Sequence, residues 1–469
     1  MVNMNTRYKY IIILVLLIIF GIVLLKLDIK ENKKVYHQHL EDKKEINVEK
    51  INEFYSNLPL VSIDTGGQEV PGMLRDGTTI VASISLYENG KLTNSLSDRP
   101  SKTTLANIRY RGNSSLHFDK KAYSLKCIKD DGTENDINFL GMGKHNEWIL
   151  NGPYLDKTLI RNYMWYNISA EIMEYSPEVR FCELFVDGAY KGVYLLLETI
   201  TRADNNRIDI SKYDDSLNMT SYIVRLDRGA SEIENLNNYT KYSLNIGSNL
   251  WIDVKYPGNE KLTAKVKRYI EEDLSKFEKS LYSFDYKNYS KYIDVDSFVN
   301  YFIINEFTQN YDAGNLSTYM YKDIRGKLKL AVWDFNSVCN NYENYITSDF
   351  DFQNNVWFEM LLRDPKFVNK IIDRYRELRK TYLNEEYLLN YIDETVNYLA
   401  DAVDRNFEVW GYTFLPEYDL LPEGRKIESY EAALEQYKSE IIKRGNWLDQ
   451  NIERLHEFSH PSVNKKFNH

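Results

Sequence analysis

Apolar and polar positions alternate in the part of the chain that follows residue 60. Ile80, Ala82, Ile84 and Leu86 recur at every second place and Asn89-Gly90 follows as a turn signal, so a strand is expected there. Residues 105–110 and 122–128 read as further strands. Helical spacing runs over 157–173 and gives way at Pro177; 179–186 and 190–199 then flank Asp187-Gly188, the pattern of a hairpin. Short strands are expected within 221–256, helices over 261–283 and 295–309, and a second hairpin from 316–322 to 328–333 across Arg325-Gly326. Beyond it the spacing is helical: 365–383, with Asp364 as N-cap and Pro365 in the first position, then about 386–409 and about 430–457. Strands first and helices last, without regular βαβ alternation, indicate an α+β fold. A sheet-rich N-terminal lobe is expected over 58–200 and a mixed, then mostly helical, C-terminal lobe over 201–460. Ligands favour the cleft between two such lobes.

The N-terminal pattern is different. The run 10–25 has no charged residue and is almost all Ile, Leu and Val; as a helix it spans about 24 Å. With Lys9 and Lys26 reaching outward, 8–29 suffices for a hydrocarbon layer of ~30 Å. Arg7 and Lys9 ahead of it favour an N-terminus in the cytoplasm. No small-x-small cleavage site follows Leu25, and the chain continues through Lys26, Asp28, Lys30 and Glu31. Residues 1–29 are therefore expected to form an uncleaved signal anchor, a single transmembrane helix with the domain outside. Residues 30–57, rich in Lys, Glu and Asn, read as a charged, solvated stalk.

With 43% apolar and 27% charged residues, the 469-residue chain has an ordinary globular balance. Lys and Arg number 59 against 69 Asp and Glu, a net charge of −10, which argues against nucleic acid and suits a basic protein partner. Cys127, Cys182 and Cys339 have no Cys-x-x-Cys spacing, so neither a zinc site nor a disulfide framework is implied.

Candidate chemistry concentrates around the second hairpin. Asp312 sits just before it and Asp334 just after, so the open ends of the hairpin bring two carboxylates together beside Tyr311, Trp333 and Phe335. Two such acids can divide labour, one positioning or deprotonating a hydroxyl and the other holding Mg²⁺. A second candidate is the turn Gly112-Asn-Ser-Ser, which includes Ser114, between strands, with Lys120 and Lys121 opening the next strand. Backbone N–H groups, hydroxyls and a lysine there could hold phosphate. A third is the segment 151–162 entering a helix, with Asp156 as a capping acid and Arg161 and Asn162 as polar residues. The fourth is Glu198, at the end of an apolar strand. A metal-dependent hydrolase could also use two Asp, but no His cluster accompanies them; His117 and His145 read as surface residues.

At these residues the sequence resembles the CotH family of spore-coat kinases, atypical protein kinases. The matching segments are RYRGNSSLHFDKKAYSLK (109–126), LNGPYLDKTLIRNYMWYNIS (150–169), RFCELFVDGAYKGVYLLLETI (180–200) and NEFTQNYDAGNLSTYMYKDIRGKLKLAVWDFN (305–336). The resemblance covers roughly 60–450. It implies a diverged protein-kinase-like fold, ATP with Mg²⁺ or Mn²⁺, and phosphorylation of Ser or Thr in a protein substrate, a Ser-rich basic coat protein being the expected class. It implies Asp312 as the catalytic-loop acid, Asp334 as the metal-binding acid, Lys121 with Lys120 beside it as the phosphate contact, and Glu198 near the nucleotide-binding hinge. Two positions depart from the family pattern. Ser317 stands where some members carry a metal-binding Asn, leaving Asn315 close but out of register. Asn336 stands where many carry Asp, so it would ligate Mg²⁺ through a neutral oxygen. The alternative reading is a non-catalytic scaffold of the same family in spore coat or cell-surface assembly.

Overall fold

The computed structural model describes residues 35–459 except 51, 73–76, 113, 205, 230–231, 243–249, 283–285, 343–347 and 417–424. The chain divides into two units, Met1–His37 and Gln38–His469. Of the first, residues 35–37 are described and hold no helix or strand. The second carries every element that follows.

Its N-terminal half is built on β1 (Leu60–Asp64), β2 (Ile80–Tyr87), β3 (Lys102–Arg111), β4 (Ala122–Ile128), the short pair β5 (Ile137–Asn138) and β6 (Lys144–His145), β7 (Glu147–Asn151), β8 (Val179–Val186) and β9 (Ala189–Glu198). Seven of these close into a barrel in the order β1-β2-β3-β4-β7-β9-β8. Each neighbouring pair is antiparallel except β1 and β8, which run parallel with Leu60 beside Glu183 and Ile63 beside Val186. The period-two pattern explains the filling. Ala82, Ile84, Ala106, Ile108, Leu125, Cys127, Trp148, Leu150 and Leu184 share one core. Along β9 successive residues serve two cores: Tyr194 and Leu196 join the barrel core, whereas Val193, Leu195 and Leu197 join the larger core next to it.

The helix α1 (Arg161–Ile172) runs in that larger core, with nine consecutive residues from Arg161 to Ser169 buried. Asp156 starts it by accepting from Thr158 N–H (3.1 Å), Thr158 Oγ1 (2.6 Å) and Arg161 N–H (2.9 Å), and the Arg161 guanidinium returns to Asp156 at 2.6 Å. A second sheet, β10 (Tyr222–Asp227), β11 (Trp251–Tyr256), β12 (Thr318–Lys322) and β13 (Lys329–Ala331), has the order β11-β10-β12-β13. The remaining helices are α2 (Ala264–Tyr282), α3 (Val295–Thr308), α4 (Phe358–Leu361), α5 (Pro365–Leu378), α6 (Glu385–Leu399), α7 (Asp401–Trp410) and α8 (Tyr430–Asn451). Side-chain caps fix several starts: Asp294 accepts from Ser297 N–H, Asp364 from Lys366 N–H ahead of Pro365, and Ser429 from Ala432 N–H. The helical pattern over 386–409 is broken at Ala400, whose φ of 45° separates α6 from α7.

One fold expectation needs correction and another falls outside the described residues. The resemblance implies a kinase-like fold with a sheet-rich lobe; the structure has a closed seven-stranded barrel instead. Closure depends on pairing residues 60–63 with 183–186, which no local pattern announces. The expected transmembrane helix in 1–29 lies outside the described residues, and among the described residues no helix is long and apolar enough to cross a membrane. From Gln38 the chain is held against the barrel. Gln38 donates to Phe181 O and accepts Phe181 N–H, and His39 Nδ1 lies 3.0 Å from Tyr163 Oη.

Candidate active site

One wall of the principal cleft comes from the barrel. Strand β3 delivers Arg111, and the chain then turns at Gly112, whose φ of 115° and absent Cβ are both required: a Cβ there would lie 1.7 Å from Ser115 Oγ. Leaving the turn, the two adjacent lysines part company. Lys121 Nζ donates to Leu116 O at 2.6 Å and so closes the turn itself. Lys120 goes inward, is 2% exposed, and lines the cleft. Burial holds its amine well below the usual lysine range, against the pull of Asp156. Gly152, after β7, lets the backbone pass close to Lys120: a Cβ there would come within 3.1 Å of Lys120 Cγ.

The facing wall is the segment after β13. Asp334 has φ 58°, the left-handed region that a non-glycine residue enters only when held. What holds it comes from α1: Tyr166 Oη accepts Asp334 N–H at 3.0 Å, and Asn162 Oδ1 accepts Phe335 N–H at 2.7 Å. The Asp334 carboxyl is pushed up to about 7, first by burial and then by Asp312, with Arg111 and the Asn336 N–H pulling the other way and Asp227 adding to the rise. Asp312 is half-buried and also raised, by burial above all, with Arg228 and Arg425 opposing and Asp227 assisting. Asn310 Nδ2 lies 3.4 Å from Trp333 O, which ties the two ends of the hairpin together.

The cleft, about 730 Å³ with the space open to solvent counted, includes Arg111, Ser115, Phe118, Lys120, Asp156, Asn162, Tyr166, Trp333, Asp334 and Asn336 in its lining. Of the residues singled out from sequence, it thus gathers Lys120, Asp156, Asn162, Asp334 and Asn336, with the charge of Asp312 acting on Asp334 from beside it. Lys121, Glu198 and Asn315 do not line it. Asn315 is exposed and donates to Asn355 Oδ1 at 3.2 Å. Glu198 is fully buried, accepts Glu178 N–H at 3.0 Å and faces Arg207 Nε at 3.7 Å, so it fastens the end of β9; its neighbour Leu197 lines the cleft. The side chain of Ser114 lies outside the described residues, while Ser115 lines the cleft.

Several residues at the site escaped sequence reading. Arg111 stands in the quoted motif before Gly112, and its position at a strand end beside a glycine turn was the available signal. Tyr166 is one helical turn beyond Asn162 on α1, the spacing of a common face. Asp227 had no local signal. It enters through sheet register, because Leu226 pairs with Thr318 and Tyr319 with Ala331, so the end of β10, the start of β12 and the end of β13 lie together.

Among the described residues no group of three or more His, Cys, Asp and Glu could hold a metal ion. The oxygens present, two carboxylates and the Asn336 carboxamide, nevertheless suit a hard cation. Mg²⁺ keeps several waters and takes one or two carboxylates plus substrate phosphates. A cation would also favour the ionised form of Asp334, which burial and two neighbouring acids disfavour.

Residues 108–448 match the family model described as CotH kinase protein. The chain belongs to the CotH kinase protein family. That match starts within β3 and ends within α8, so both walls of the cleft are inside it. The chain is also similar to the inner spore coat protein H of Bacillus subtilis (strain 168), 26% identical over 231 residues, which is 49% of this chain and 58% of that relative.

Proposed function

We propose that this CotH family member is an ATP-dependent protein kinase that phosphorylates Ser or Thr in a protein substrate. The observation that carries this reading is the arrangement across one cleft. Arg111 and Lys120 supply positive charge on the barrel wall; Asp334 and Asn336 supply oxygen donors opposite, with Asp312 beside them. Arg111 and Lys120 bind nucleotide phosphates. Asp334 and Asn336 would hold Mg²⁺ or Mn²⁺, whose chemistry there is to offset phosphate charge. Asp312 orients the acceptor hydroxyl and takes its proton as the oxygen bonds to the γ-phosphorus and the bond to ADP breaks. Its raised affinity for a proton suits that role. Lys120, not Lys121, is the lysine this geometry favours.

The acceptor we favour is a Ser-rich basic coat protein. The net charge of −10 supports a basic partner, and the name of the Bacillus subtilis relative supports a spore-coat setting. The test is transfer of labelled γ-phosphate from ATP, with Mg²⁺ or Mn²⁺, to a Ser-rich basic peptide. Transfer that is lost in Asp312→Asn supports the kinase. Nucleotide binding without transfer to any protein or peptide would favour the non-catalytic scaffold.

A further inference from the structure

Lys120 is a buried cation held by a neutral group. Its Nζ donates to Asn406 Oδ1 at 2.7 Å, and the rings of Tyr194 and Trp410 lie 5.2 and 5.9 Å from it. Among the described residues it makes no ion pair; Asp156 acts on it through charge alone.

Asn406 sits where α7 is fastened to the barrel. Arg405 pairs with Glu183 on β8 at 2.8 Å, Asn406 Oδ1 accepts Val193 N–H at 3.1 Å, and Trp410 Nε1 donates to Lys191 O at 2.9 Å. Gly192 makes this approach possible, since its φ is 91° and a Cβ there would stand 2.5 Å from Asn406 Oδ1. The position of Asn406 is thus fixed from both sides, and it is 1% exposed.

The same carboxamide has a defect. Among the described residues its Nδ2 has no hydrogen-bond partner. An aspartate of the same size would accept from both Lys120 and Val193 as well, replace the orphan donor by a second acceptor and add an ion pair. The chain instead has the neutral residue.

We propose that Asn406 is a positioning residue that fixes the Lys120 amine through a neutral oxygen and so leaves its charge available to the phosphates of a nucleotide, an inference that rests on the kinase reading above. A carboxylate at this position would compete with phosphate for the same cation in a poorly solvated place, where opposite charges separate with difficulty. A phosphate anion would favour the charged form of the Lys120 amine, whose proton affinity burial lowers.

The test compares the full-length wild type with Asn406→Asp. The variant is expected to melt about 2 °C higher. Its Kd for ATP with Mg²⁺, measured by titration calorimetry, should rise about tenfold, equivalent to ~1.4 kcal/mol. Turnover at saturating ATP should stay within about twofold, since the change acts on nucleotide binding. A higher melting temperature with an unchanged Kd would mean that Asn406 is structural only, and would overturn the proposal. Should the aspartate variant fail to fold, Asn406→Ser keeps a neutral acceptor and Asn406→Ala removes it. The serine variant should then bind ATP closer to wild type, and equal Kd values in the two would overturn the role. Wild-type protein that does not bind ATP with Mg²⁺ defeats the nucleotide reading and this inference together. Wild-type binding with an unchanged Kd in Asn406→Asp defeats this inference alone.

Discussion

Removing one oxygen from Tyr166 should loosen the candidate metal site without hollowing the core. In Tyr166→Phe the ring keeps its packing against Trp333 and Phe335, at centroid distances of 5.8 and 5.5 Å. What is lost is the acceptor for Asp334 N–H at 3.0 Å. An orphaned donor costs about 1–3 kcal/mol, and a non-glycine residue in the left-handed region costs about 1–3 kcal/mol as well. The two quantities are comparable, so the lost bond is enough to release Asp334 from φ 58°. Asn162→Ala removes the acceptor for Phe335 N–H, 2.7 Å away on the next peptide unit. Because both side chains hold one strained segment, the double variant should lose less stability than the sum of the single variants, with a coupling of at least ~0.5 kcal/mol. Urea unfolding of the four proteins measures that coupling. A Mn²⁺ titration in the presence of ATP measures the functional consequence, expected as about a tenfold weaker Kd in Tyr166→Phe, ~1.4 kcal/mol. Additive losses together with an unchanged Mn²⁺ affinity would refute the argument that α1 holds Asp334 in place.

Asp312→Asn should retain nucleotide and metal binding while phosphoryl transfer falls at least about a hundredfold, ~2.7 kcal/mol; Asp334→Asn should weaken metal-dependent ATP binding as well, and matching binding in the two variants would defeat this division. A sulfonyl fluoride analogue of adenosine should label Lys120 in preference to Lys121, as read by peptide mass mapping, and Lys120→Ala should weaken ATP binding where Lys121→Ala leaves it within about twofold; the reverse preference would return the phosphate contact to Lys121. Gly112→Ala should lower stability by more than ~1 kcal/mol and weaken ATP binding, since φ 115° and Ser115 Oγ both oppose a side chain there; unchanged melting and Kd would show that the turn can reshape.

How much of this could be read in the chain depended on distance along it. The hairpin of β8 and β9 follows from Asp187-Gly188, and the start of α5 from Asp364-Pro365, because turn and cap chemistry are local. The neighbourhood of Asp312 and Asp334 also follows from a local rule, the joining of hairpin ends, and Asn310 spans the gap between them. Choosing between Lys120 and Lys121 needs the facing of residues that precede β4, and a one-residue change of phase exchanges them. Asp227 needs the register of β10 on β12, and barrel closure needs β1 on β8 across more than a hundred positions. The composition of 30–57 suggests a solvated stalk, and charge content says nothing of the two bonds that tie Gln38 to Phe181.

A closed barrel has no strand edge to offer another chain. In open sheets, unpaired edge groups template association and aggregation, and they are also where extended peptides add as an extra strand. The parallel seam of β1 and β8 removes both routes from the barrel. The four-stranded sheet is guarded by different means: Leu330 N–H of β13 is taken by Ser297 Oγ at 3.0 Å, and along β11 Ile252 O and Val254 N–H are taken by Leu236 and Glu234. Strand addition to the barrel is therefore closed to a partner, and any contact with it is made by side chains.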